Sequence, residues 1–179
     1  MASTSTRLPL AQKIGEKPDR DSIFAYRIVA PKWAKSPLSG EGSRLYGGRW
    51  NSPGHPMVYL STTRALAALE LLVHLTTPDS RLVPRVMVTV RMPKELVAGE
   101  LFQAQGWRDH PAGLDSTDQG DDWLKHGSTA GVLAPSAIIP EERNLLLNPH
   151  HLDFTKVEII QTKPFHFDHR LSQLQSQIS

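Results

Sequence analysis

The amino-acid sequence predicts a single α+β domain, with short strands set around a cleft and a central buried helix. Three observations carry that prediction. Short apolar, β-branched runs recur along the chain, each bounded by Gly, Pro, Asn or Asp. Only two or three segments have helical spacing, and they do not alternate with strands as in a doubly wound fold; G-x-G-x-x-G is absent. Within the 179 residues Pro and Gly are scattered rather than gathered into a linker, and no repeat is visible. A chain of this size buries roughly 70% of the surface that its unfolded form exposes, so one core is expected.

Residues 1–20 are polar and read as a loose arm or a short helix, with the domain proper at 21–179. Ile23 to Val29 reads as a strand that Pro31 ends. The stretch 32–56 holds five Gly and three Pro and reads as one long loop, a length that usually carries function. Met57 to Ser61 is a short strand, and Thr62 or Thr63 can cap the helix RALAALELLVHL. That helix is apolar on nearly every side, which argues for burial. Leu82 to Met92 alternates β-branched and charged residues, a strand with one wetter face. The acidic segment 94–128 offers a helix near Asp118 to Lys125. Gly131 to Ile139, Asn144 to Leu147 and Lys156 to Thr162 read as three further strands. Leu171, Leu174 and Ile178 have the spacing of a terminal helix.

Composition excludes several classes. No cysteine is present, so a disulfide framework, a thiolate metal site and a thiol nucleophile are all ruled out, and a cytoplasmic setting is expected. The most apolar stretch, Ala65 to Leu75, is broken by Glu70 and His74 and is too short to span a bilayer. The first residues, MASTSTRLPLAQK, show no signal-peptide pattern. Twenty Lys plus Arg against eighteen Asp plus Glu leave a net charge of +2, without the basic stripe of a nucleic-acid binder. Positive residues nevertheless concentrate before residue 50 and acids between 95 and 125. This pattern fits solvated faces of opposite sign, or an anion-binding cleft in the N-terminal half.

Several residues look chemically loaded. Glu70 sits mid-helix among Leu66, Ala67, Leu69, Leu71 and Val73, where an ionised carboxylate is expensive unless it is paired or faces a cleft. A rotamer that reaches solvent, or a pair with His74 one turn on, would be the ordinary explanation. Arg27 lies within a strand, beside Ala25 and Val29 on its own face. Tyr46, Gly47, Gly48, Arg49, Trp50 and Asn51 combine glycines that let a ligand approach the backbone, a planar fork for phosphate oxygens, and rings for stacking. An ordinary turn with an aromatic anchor would show the same residues. His150-His151 and His166-x-x-His169 lack a patterned third ligand, so no metal is expected. Ser136 opens an apolar run outside any G-x-S-x-G.

These residues, in this order, resemble the RES-domain family, named for its Arg, Glu and Ser, whose members are toxins of bacterial toxin–antitoxin pairs. The resemblance runs from the Tyr26-Arg27 strand through Tyr46-GGRWN, the strand at Tyr59, the ALAALE helix with Glu70 and Pro135-Ser136, into PEERNLLLNPHHLDF. It implies a fold similar to the ADP-ribosyltransferase toxins. It also implies NAD as substrate, cleaved at the nicotinamide–ribose bond by hydrolysis or phosphorolysis, or used to transfer ADP-ribose to a protein. Glu70, Arg27 and Ser136 would be the catalytic set, and Arg49, Tyr46, Tyr59, Gly47, Gly48, Trp50 and Asn51 would bind substrate. No cofactor is implied beyond NAD itself and phosphate as a co-substrate. The implied partner is an antitoxin with a Xre-type helix-turn-helix, and the terminal helix leaves room for a homodimer in that complex. Two other readings compete: a non-catalytic module that binds a nucleotide or protein, and a ribonuclease toxin.

Overall fold

The computed structural model describes residues 20–75 and 77–173. All but Arg20 of the expected arm lies outside the described residues, as do Leu174 and Ile178 of the expected terminal helix. Strand β1 (Ser22–Val29) forms where β-branched and aromatic side chains crowd the backbone, and it gives way to a short 3-10 turn at Pro31. It pairs along its whole length with β3 (Arg85–Pro93), which pairs in turn with β7 (Glu158–Phe165). On its other side lies β2 (Val58–Ser61). That strand pairs with β6 (Arg143–Leu147), β6 with β5 (Gly131–Pro135), and β5 with β4 (Val97–Leu101). The sheet order is β4-β5-β6-β2-β1-β3-β7, and β4 against β5 is the one parallel pairing among the named strands.

The junction of β1 and β2 is narrow. They register at one residue pair, Tyr26 opposite Ser61, so the sheet is two halves joined by a single rung. Ala25, Val29, Val58, Leu60, Val88 and Leu145 help to form one buried cluster. Trp50, Met57, Phe102, Trp123, Val132 and Leu146 belong to a second, in which the Phe102 ring lies 5.2 Å from Trp50 and 5.9 Å from Trp123.

Helix α2 (Arg64–Leu72) begins at Thr63, whose hydroxyl accepts the Leu66 amide at 3.0 Å, and it packs on β1 and β2 across the rung. It buries Leu66 and Ala67, while the residues from Ala68 to Leu72 stay half-buried; the helix is central but covered on one side. Helix α4 (Leu114–His126) is longer than expected, runs to a left-handed Gly127, and buries Ser116, Gly120 and Trp123.

Other expectations need correction. The long loop contains α1 (Glu41–Tyr46), which no apolar stripe announces. Left-handed Gly40 and the Ser43 hydroxyl, bonded to the Gly40 and Met57 carbonyls, hold it instead. A short helix α3 (Pro78–Leu82), capped by Thr77, replaces the start of the third expected strand. That strand has no wetter face at its centre, because Met87, Val88, Thr89 and Val90 are all buried between covering layers. The strand expected to reach Ile139 ends at Pro135, and β4 lies unannounced in the acidic segment. The last described helix is α5 (Arg170–Gln173). No described helix is long and apolar enough to cross a membrane.

Candidate active site

Glu70 is neither paired with His74 nor simply turned to water. The Ser136 hydroxyl donates to its Oε1 at 2.8 Å, and the Asn144 amide donates to the same oxygen at 2.6 Å. Oε2 has no hydrogen-bond partner among the described residues, and the side chain is half-buried. One carboxylate oxygen is therefore anchored and the other presented. Behind it, the Ser61 hydroxyl donates to Asn144 Oδ1 at 2.8 Å. The antiparallel register sets Ser61 opposite Asn144, which brings them onto one face of the sheet.

Ser136 is fully buried and its hydrogen-bonding capacity is used. Its hydrogen goes to Glu70, and its oxygen accepts the Ile138 and Ile139 amides, each at 3.1 Å. The serine thus holds the carboxylate and gives the turn after β5 its shape. A substrate hydroxyl or carboxamide would have to displace one of those bonds to reach it.

Arg27 follows Tyr26 on β1, and strand alternation gives it the face of Ala25 and Val29. It opens onto a small cavity that Trp33, Ser36, Pro37 and Ser39 help to line. Its Nη1 is buried and has no hydrogen-bond partner among the described residues. Burial lowers its pKa to about 10, with Tyr59 pulling the other way. A desolvated guanidinium with an unused donor is suited to an anion.

Tyr59 links this cation to the Tyr46–Asn51 loop. Burial raises its pKa above the ordinary phenol value, while the charges of Arg49 and Arg27 both oppose that rise. Its hydroxyl donates to Asn51 Oδ1 at 2.6 Å and accepts the Trp50 amide at 3.0 Å. Gly48 makes this approach feasible, because a Cβ there would stand 2.5 Å from the Tyr59 oxygen. Gly47 has φ of 72° and closes α1.

The remaining members of the loop are placed differently from one another. Trp50 is a core side chain, 2% exposed, and Asn51 is 1% exposed with its amide spent on the Ser43, Ser52 and His55 carbonyls. Both support the loop from below. Arg49 donates from Nη1 to the Trp107 and Asp109 carbonyls, tying the loop to the segment before α4. Tyr46 is 83% exposed. No hydrogen bond joins Arg27 to Glu70 among the described residues, so the predicted site falls into separate parts: a clamped carboxylate, a buried arginine on β1, and a loop that Tyr59 and Arg49 tie down.

The sequence reading did not single out Asn144 and Ser61 as site residues. An amide opening a strand of three leucines was the available signal for Asn144, and Ser61 gave none.

Fold and site together define an α+β domain that presents one carboxylate oxygen beside a narrow seam, with a buried arginine on the adjoining strand whose Nη1 has no hydrogen-bond partner among the described residues. The RES domain family matches residues 24–168. The Toxin Res of Yersinia enterocolitica serotype O:8 / biotype 1B is 39% identical over 154 residues, covering 83% of this chain and 99% of that protein. The Prs ADP-ribosylating toxin of Sphingobium sp. (strain YBL2) is 38% identical over 155 residues, 84% of this chain and 96% of that one. A chain in the crystal structure of the M. tuberculosis MbcT-MbcA toxin-antitoxin complex superposes with a TM-score of 0.64. The match covers 86% of this chain and 88% of that chain at 20% identity, a likeness of fold. The chain belongs to the RES-domain family of toxins, as the resemblance read from its sequence implied.

Proposed function

We propose that this toxin consumes NAD by breaking the bond between nicotinamide and ribose. The observation that carries the proposal is the clamp on Glu70, with Oε1 held by two donors and Oε2 left free. Departure of nicotinamide takes the bonding electrons with it, neutralises the pyridinium and leaves an oxocarbenium-like ribose. A fixed carboxylate oxygen beside the ribose stabilises that cation or accepts the 2′-hydroxyl hydrogen bond. Arg27, with its unused Nη1, is the group best suited to a pyrophosphate or an incoming phosphate. Water or phosphate then attacks C1″, and the displaced proton passes to solvent.

A second reading is favoured by one relative's name: the Sphingobium protein is an ADP-ribosylating toxin, so a protein side chain is the competing acceptor. The partner proposed is an antitoxin with a Xre-type helix-turn-helix. The description of the fold neighbour as part of a toxin–antitoxin complex supports an antitoxin partner, and the Xre type rests on the family resemblance.

The test is to incubate the protein with NAD, with and without phosphate, and identify products by mass. ADP-ribose indicates water as acceptor, ADP-ribose 1″-phosphate indicates phosphate, and a protein adduct indicates transfer. Glu70→Gln keeps the shape and loses the charge, so turnover should fall about 10²-fold or more in folded protein, the scale of losing one preorganised electrostatic group. Turnover in that variant at the unmodified protein's rate removes Glu70 from the reaction.

A further inference from the structure

We propose that Asn144, braced by Ser61, is a positioning residue for NAD cleavage; the proposal rests on the reaction put forward above. An asparagine amide can point either end at a neighbour, and only one end donates. Asn144 touches Glu70 on one side and Ser61 on the other. A carboxylate only accepts, so Glu70 takes the Nδ2 end, and the Ser61 hydroxyl, 3% exposed, braces the amide from the other side by donating to Oδ1 at 2.8 Å. The amide then donates to Oε1 at 2.6 Å, the shorter of the two bonds that oxygen receives.

The geometry has a direction. Ser136 and Asn144 both act on Oε1, from the turn after β5 and from β6 respectively, so the carboxylate plane is set by two separate elements of one half-sheet. Rotation about the Glu70 side chain would need both bonds to break. With Ser136 alone, the carboxylate keeps one tether and can swing about it, moving Oε2 away from a bound ribose. A displacement of the order of 1 Å in a reacting group lowers turnover about 10²-fold without removing any substrate contact. Ser61 acts one step further back, by holding Oδ1 so that the amide stays within reach of the carboxylate.

The experiment measures kcat and KM for NAD in purified intact protein carrying Asn144→Asp, Ser61→Ala, Glu70→Gln and the two pairwise combinations with Glu70→Gln. Asn144→Asp keeps the volume and exchanges the donor for an acceptor, and Ser61→Ala deletes one buried hydroxyl. Expected are a kcat lower by about 10²-fold for Asn144→Asp and about tenfold for Ser61→Ala, with KM within about twofold, the pattern of an interaction needed only in the transition state. Each change should have little further effect once Glu70→Gln is present, because the group it positions is gone. A merely structural role predicts lower melting temperatures and additive losses in the pairs, and that result overturns the proposal. Unchanged kcat in Asn144→Asp overturns it too. Should Asn144→Asp not fold, Ser61→Ala decides alone. If the unmodified protein leaves NAD intact, the reaction itself is refuted and the proposal with it; active protein with indifferent Asn144 and Ser61 variants refutes the positioning alone.

Discussion

Gly120→Ala tests how the site loop is supported. Gly120 lies inside α4, where an alanine normally gains about 1 kcal/mol of helix propensity over glycine. Here a Cβ would overlap the Trp50 carbonyl oxygen and stand 2.7 Å from its carbon. Carbon atoms attract best at roughly 3.5–4.0 Å, so helix and loop must separate by about 1 Å. The obstacle is backbone, which no rotamer change relieves. Overpacking of this kind costs about 1–3 kcal/mol, and the upper end applies. Set against the propensity gain, the net destabilisation is about 2 kcal/mol, or a melting temperature lower by roughly 4–8 °C for a chain of this size. Gly42→Ala in α1 is the control, since nothing lies within 4 Å of a Cβ there. It should be neutral or more stable by up to about 1 kcal/mol. Denaturant unfolding of both variants gives the comparison. Gly120→Ala protein as stable as Gly42→Ala would refute the packing argument. The neighbouring residue adds a functional readout: the Asp121 carboxylate accepts the Ser52 amide at 3.0 Å, so a displaced α4 also loosens the loop that carries Arg49.

Three further expectations follow from the site. Gly48→Ala places a methyl 2.5 Å from the Tyr59 oxygen and 2.9 Å from Asn51 Oδ1, so it should destabilise by about 1–3 kcal/mol. Adding Tyr59→Phe removes the nearest obstructing atom and leaves the ring carbon at 2.8 Å, so the double variant should recover part of the loss and be more stable than the two separate losses predict; strict additivity in unfolding would count against that contact. Arg27 is charged and desolvated, and its folded-state pKa of about 10 lies below the ordinary 12.5, so its burial penalty persists through neutral pH and lifts only as pH rises through about 10. Arg27→Met should therefore gain about 1–3 kcal/mol in thermal unfolding while losing ADP-ribose binding by calorimetry, and a less stable variant would contradict the reading. In the unmodified protein the same shift predicts ADP-ribose affinity that is level between about pH 7 and 9 and falls as pH approaches 10.

The legible parts of the molecule were those where one residue contradicted its neighbours. Glu70 stood out because a carboxylate is foreign to RALAALELL, and Arg27 because a guanidinium is foreign to an apolar strand. Their surroundings depended on contacts distant in sequence. Glu70 meets Asn144 across 74 positions, and the register of β2 with β6 that aligns Ser61 and Asn144 has no local signature. Trp50 looks like a stacking platform in YGGRWN, yet its ring faces Phe102 inside the second core cluster. Composition does not tell a buried indole from a ligand-facing one. Helix α1 escaped notice because it lacks an apolar stripe, and β3 reads as half-wet because its alternation ignores the layers that cover both of its faces. Short strands and few helices were enough to give the fold class, since that depends on pattern and not on partners.

The single rung between Tyr26 and Ser61 has a mechanical consequence. Arg27 is the next residue after one end of that rung and travels with β1, β3 and β7. The other end is Ser61 on β2, which braces Asn144 on β6 and, through it, Glu70. Arg27 and the bracing of Glu70 therefore sit on the two strands that meet at that one backbone pair. Helix α2, which carries Glu70 and packs on both of these strands, adds a second tie between the half-sheets beside that rung.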